Sequence, residues 1–241
     1  SNESLKKEQQ VMDMLNNGTI DGFIVAIAEE TQSLKEYKHF KDIMNSGTPI
    51  VMFDRVADGI NCDKVVVDDF DSAYDATTHL IKLGSKKIAL LSTIHNLSVG
   101  KLRLEGYQKA LSDANIQIDE NLIILETSIE DFDVKLQELI SSKKMDAIFA
   151  LDEHSATASM KMALKQGIKI PEELNVIGFA DGVWSRRLTP SLSTVSQHAP
   201  EIGAKAAELL IHKLNSKDEF YQPQTVVIKT ELRQRESTRK L

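Results

Sequence analysis

KVVVDDFDSAYDATTHLIKLGSKKIALLS, residues 64–92, is the stretch whose reading decides the fold. Its first five residues set three β-branched valines, Val65-Val66-Val67, between Lys64 and an acid, Asp68. Ala73, Ala76, Thr77, Leu80, Ile81 and Leu83 then form an apolar stripe at helical spacing over 70–83. Gly84 stands where a left-handed C-terminal cap is expected, and 87–92 is apolar again. Unbroken runs such as Ile88–Leu91 imply a strand buried on both faces, which is the habit of parallel sheets. Strand, helix, strand is therefore the repeating unit. Working outward, the same alternation predicts strands at 22–28, 50–54, 64–68, 87–92, 121–126, 146–151, 175–180 and 224–230. Helices are predicted at 3–17, 31–46, 70–83, 99–114, 131–143, 153–166 and 200–215. This is an α/β fold with helices on both faces of parallel sheets.

Composition narrows the function. With 29 basic against 36 acidic residues the chain carries −7, which argues against this stretch gripping a nucleic-acid backbone itself. A single cysteine, Cys62, excludes an internal disulfide and a multi-cysteine zinc site. No apolar run approaches the roughly 18–20 residues of a membrane span, and no signal peptide opens the chain. The expectation is a cytoplasmic protein with no membrane partner. The chain opens Ser1-Asn2 without Met, so a preceding segment is expected to be missing or replaced by a tag remnant.

In open parallel sheets ligands bind beyond the carboxyl ends of the strands. Those ends offer Glu29, Asp54-Arg55, Asp68-Asp69, Ser92, Glu126, Asp152 and Asp181. Carboxylates with an arginine suit a neutral polyhydroxylated ligand, because charge-assisted bonds to hydroxyls are the strong ones. Each acid also has a plainer reading as the N-cap of the following helix, and both stay open. Walker, Gly-x-Gly-x-x-Gly, Gly-x-Ser-x-Gly and His-Glu-x-x-His motifs are absent. His154 beside Asp152 and Glu153 makes no metal site, since three neighbours in one turn cannot face one ion. Asp69 and Asp71 resemble the Asp-x-Asp nucleophile pair of haloacid-dehalogenase-type phosphatases, but no metal motif follows. Neither an enzyme nor a cofactor is expected.

Several ordered strings resemble the LacI/GalR family of transcription regulators. They are residues 48–71, His79–Gly84 running into Lys87–Leu91, Arg103–Leu111, Ile170–Phe179, Leu188–Val195 with Gln197, and the terminal Arg235-Glu236-Ser237-Thr238. The resemblance implies a two-lobed, periplasmic-binding-protein-like module that closes on a small effector, a sugar for preference, and forms a homodimer. A separate N-terminal helix-turn-helix would read operator DNA. Lobe one would comprise 1–69 and 196–222, and lobe two 70–195 and 223–241. The family pattern begins one strand–helix–strand before Ser1. Arg103 matches an effector-contacting arginine and Asp54 an acid of the interlobe crevice. Asp152 stands where relatives often carry Asn, and Ala180 where many carry the first Asp of Gly-Phe-Asp-Asp, of which Asp181 keeps the second. Trp184 follows in a loop, where it stacks on a ligand, packs between lobes or lies on the surface. The helix at 70–83, with Tyr74 and His79, is a candidate for the dimer face. A periplasmic sugar-binding protein feeding an ABC transporter is the alternative, since it shares the fold.

Overall fold

The computed structural model describes residues 1–180, 182–216 and 221–240. The chain divides into two compact units, Ser1–Val67 with Ala199–Ile228, and Asp68–His198 with Lys229–Leu241. It passes between them three times.

Unit 1 contains α1 (Leu5–Leu15), β1 (Phe23–Val25), α2 (Glu29–Leu34), α3 (Lys38–Asn45), β2 (Ile50–Phe53), β3 (Asp63–Val67), α9 (Ala199–Asn215) and β9 (Thr225–Ile228). Its sheet runs β1-β2-β3-β9, all parallel. Met12, Phe40, Ile43 and Met52 fill one face, and Val51, Val65, Ala206 and Leu209 the other. The boundary expected after residue 222 is displaced: Thr225–Ile228 pairs with β3 and lies in unit 1. The single helix expected over 31–46 is also two. Lys35 adopts a left-handed φ of 53° that ends α2. The break leaves Leu34 62% exposed while Phe40 and Ile43 enter the core. α1 and α2 cap each other. Glu30 accepts from Leu5 N at 2.8 Å, Glu3 from Glu29 N at 2.8 Å, and buried Glu8 from Ala28 N at 2.6 Å. These carboxylates satisfy donors that helix starts leave unpaired.

Unit 2 contains α4 (Asp69–Lys82), β4 (Ile88–Ser92), α5 (Ser98–Asp113), β5 (Ile123–Leu125), α6 (Ile129–Ser142), β6 (Ala147–Ala150), α7 (Glu153–Lys165), β7 (Asn175–Phe179), α8 (Val183–Arg187), β8 (Ser193–Ser196) and β10 (Glu231–Arg233). The sheet order is β10-β8-β7-β6-β4-β5, parallel except for β10. Alternate residues serve opposite faces. Leu90, Phe149 and Ile177 join Tyr107 of α5 in one core, while Leu91, Ile148 and Val176 join Phe132, Leu136 and Met160 in the other. That is why the strands read as unbroken apolar runs.

β8 and β10 escaped sequence reading because Ser193-Thr194-Val195-Ser196 carries little apolar signal, yet all four residues are buried. Their polar atoms are met from the carboxyl-terminal string. Ser237 Oγ accepts from Ser193 N at 2.7 Å and donates to Val176 O at 2.6 Å, and Thr238 bonds Ser193 Oγ at 2.8 Å. The string 235–238 thus welds the chain end to β7 and β8.

Candidate functional site

In unit 2 the carboxyl ends of β4, β6 and β7 gather the residues of interest. α4 and α5 lie close enough that a Cβ on Gly106 would meet Phe70 O at 2.3 Å. That close packing sets Asp69, in the first turn of α4, against Arg103 of α5. Arg103 Nε donates to Asp69 Oδ1 at 2.7 Å, and Nη1 donates to Leu151 O, just past β6, at 2.7 Å. The guanidinium carbon lies 3.8 Å from the centroid of the Phe179 ring at the end of β7. Arg103 is 4% and Asp69 3% exposed. A charge this deeply buried is tolerable only when paired and hydrogen-bonded, and the aromatic face adds a cation–π contact. The arginine's plane is therefore fixed by α4, β6 and β7 together.

Ser92 is buried, and its Oγ accepts from Ile94 N at 3.1 Å, turning the chain after β4. Asp152 N-caps α7: its carboxylate accepts from Ser155 N and Ser155 Oγ, both at 2.8 Å, and from Thr93 N at 2.9 Å. It fixes the loop after β4 to the start of α7. Trp184, on α8, is 67% exposed, with the Arg187 guanidinium 5.8 Å from its ring centroid. Asp181 lies outside the described residues.

In unit 1, Asp54 follows β2 with a left-handed φ of 55°, and its N donates to Val65 O at 3.0 Å. The neighbouring Arg55 is held in a two-pronged pair by Glu3, at 2.8 and 3.0 Å. That guanidinium keeps the Glu3 carboxyl below its ordinary range. Asp54 and Arg55 are adjacent in unit 1, and Asp69, Ser92, Arg103 and Asp152 gather at the strand ends of unit 2.

Asp68 lies beside the cluster. Its Oδ1 accepts from Thr230 N at 2.9 Å and its Oδ2 pairs with Lys229 Nζ at 3.0 Å. Burial pushes its carboxyl up, but the bonds from Thr230 and Lys229 outweigh burial and hold it below the usual range. The phosphatase alternative needs Asp69 as a nucleophile, whereas its carboxylate is committed to Arg103 in a buried pair. Among the described residues no three His, Cys, Asp or Glu side chains converge as for a metal ion. Sequence reasoning picked out Asp69 and Arg103 separately but missed their pairing, the Phe179 ring beneath, and the Glu3 clasp on Arg55.

Residues 77–238 match the family model of periplasmic binding protein-like domains. The transcriptional regulator DegA of Bacillus subtilis is 31% identical over 201 residues, covering 83% of this chain and 59% of that protein. The transcriptional repressor PurR of Haemophilus influenzae is 31% identical over 223 residues, 90% of this chain and 64% of that protein. The chain thus spans less than two thirds of the length of these curated relatives. Among solved structures, the transcription regulator CcpA of Lactococcus lactis superposes with a TM-score of 0.82 at 25% identity, covering 98% of this chain and 84% of that one. A LacI-family regulator from Enterococcus faecium with bound ribose gives 0.81 at 24% identity, covering 96% and 84%. This chain belongs to the periplasmic binding protein-like family, and the curated relatives it resembles are transcriptional regulators.

Proposed function

We propose that this chain is the effector-sensing domain of a LacI-type transcriptional repressor. It binds a small, neutral, hydroxyl-rich ligand, a sugar for preference, through Asp54, Arg55, Asp69, Ser92, Arg103, Asp152, Asp181 and Trp184. The observation that carries the reading is Arg103. A planar fork, buried at the carboxyl ends of a parallel sheet and locked by Asp69, Leu151 O and Phe179, is preorganised to meet paired hydroxyls. The Asp69 carboxylate neutralises that charge, which favours a neutral ligand over an anionic one. The relatives support the regulatory role, since the curated proteins named above are transcriptional regulators and one structural neighbour holds ribose. In the whole protein a helix-turn-helix would read operator DNA in the cytoplasm, and the chain would act as a homodimer.

For the dimer, unit 2 offers an open groove of about 830 Å³ lined by Ala158, Met162, Leu164 and Leu188. Asp133 lies on its wall with Lys161 and Lys165, a charge pattern that two copies related by a two-fold axis can satisfy mutually. The helix at 70–83 fits this role less well, because α4 packs against α5 and Tyr74 is spent on Asp113.

The test of the ligand reading is a thermal-shift screen of this chain against sugars, sugar acids, sugar phosphates and nucleosides. A ligand at 100 times its Kd adds about 2.7 kcal/mol, or about 5–10 °C for a chain of this size. The reading requires a neutral sugar or nucleoside to raise Tm and Arg103→Lys to abolish the shift. A response confined to the anionic members would contradict it.

A further inference from the structure

The first crossing between the units runs directly into α4: Val67 closes unit 1, and Asp68 and Asp69 open unit 2. Asp68 occupies the N-cap position, where an aspartate ordinarily bonds the helix's own amides, yet it makes no such bond. Its carboxylate reaches instead to the third crossing, accepting from Thr230 N at 2.9 Å and pairing with Lys229 at 3.0 Å. Asp69 turns the other way, into the core, where it holds Arg103 Nε at 2.7 Å. Two consecutive acids in one helical turn thus grip two different things, the last crossing on one side and the buried arginine on the other. The first turn of a packed helix does not stretch. A displacement of residues 229–230 that carries Asp68 with it must move the Asp69 carboxylate, and with it the guanidinium resting on Leu151 O and Phe179.

We propose that Asp68 and Asp69 form a relay that ties the position of Arg103 to the third crossing. Whatever binds at Arg103 then biases the conformation of the crossing, and the crossing biases binding by the same factor. Asp68 is a positioning residue in this scheme, since it acts on Arg103 only through its neighbour. The functional meaning of the relay rests on the reading of Arg103 as a ligand contact, but the coupling itself is a property of the unliganded chain. A packed pair and a capped crossing that merely stood side by side would be energetically independent, and that difference is measurable.

Hydrogen exchange at the Thr230 amide reads the crossing, with the Val176 amide, which bonds Ser237 O in the same unit, as the reference. In the full 241-residue chain without ligand, Asp69→Asn and Arg103→Lys are each expected to speed exchange at Thr230 by about tenfold more than at Val176, whose change reports the global loss of stability. Neither substitution touches Thr230. In the opposite direction, Asp68→Asn is expected to move the Arg103 Nε–H resonance and hasten its exchange. Unchanged Thr230 exchange in both variants, or equal acceleration at Thr230 and Val176, overturns the relay. Should Arg103→Lys fail to fold, Asp69→Asn and the Asp68→Asn resonance decide. No ligand enters this experiment, so its failure leaves the ligand screen standing, and a silent screen leaves the relay standing.

Discussion

Arg103 shows how one side chain fixes a local arrangement and what its loss costs. Its partner Asp69 is as deeply buried, so Arg103→Met would strand a carboxylate away from water. Breaking one side of such a pair costs about 3–5 kcal/mol, whereas removing both charges together costs far less than the sum. Urea denaturation of Arg103→Met, Asp69→Asn and the double variant should show that non-additivity. Asp68 gives a pH dependence with a definite sign. Its folded carboxyl is held below the ordinary value, so it contributes stability above the unfolded value near 3.8, and that contribution disappears as pH falls through the folded value. The wild type should exceed Asp68→Asn in urea midpoint at pH 6, and the gap should narrow as the pH is lowered past the unfolded value and close below the folded one. Neither behaviour was legible in the sequence. The acids were visible as strand-end residues, but Asp69 meets a partner 34 residues away and Asp68 one 162 residues away. Spacing on one element cannot report either pairing.

Helices α4 and α5 meet at a glycine, and that contact carries the site. A Cβ at Gly106 would stand 2.3 Å from Phe70 O and 2.9 Å from Ala73 Cβ, against backbone and a packed methyl rather than a flexible side chain. Gly106→Ala should therefore push α5 away from α4. Overpacking of this kind costs about 1–3 kcal/mol, and because Asp69 and Arg103 sit on the two helices, the variant should also lose ligand-induced stabilisation. Chemical denaturation gives the first quantity and thermal shift with a ligand from the screen the second. At this scale the sequence was most informative where elements are apolar throughout. The parallel strands β4, β6 and β7 appear as largely apolar runs because both their faces are buried. It failed where polar residues are buried and satisfied from afar, as in β8, and where a left-handed Lys35 splits a region that reads as one helix.

For the whole molecule, the alternation of strands and helices announced an α/β chain, and ordered strings along most of its length pointed to the family. The boundaries between units were harder, since Thr225–Ile228 pairs with β3 through a register that no local pattern specifies. Assembly is testable through the apolar groove along α7. Leu164 is 42% exposed there, and Leu164→Glu should leave the chain folded while reducing a dimer to the 26.9 kDa monomer in sedimentation velocity. A wild type that is itself monomeric at micromolar concentration would contradict the proposed dimer. The most direct test of the central claim uses the full-length gene product, its operator fragment and the ligand found in the screen, in a mobility-shift titration. The account predicts that the ligand changes operator affinity by about 5–150-fold, the usual span of allosteric coupling, and that Arg103→Lys removes the response. Operator binding that is indifferent to a ligand bound at Arg103 would contradict it.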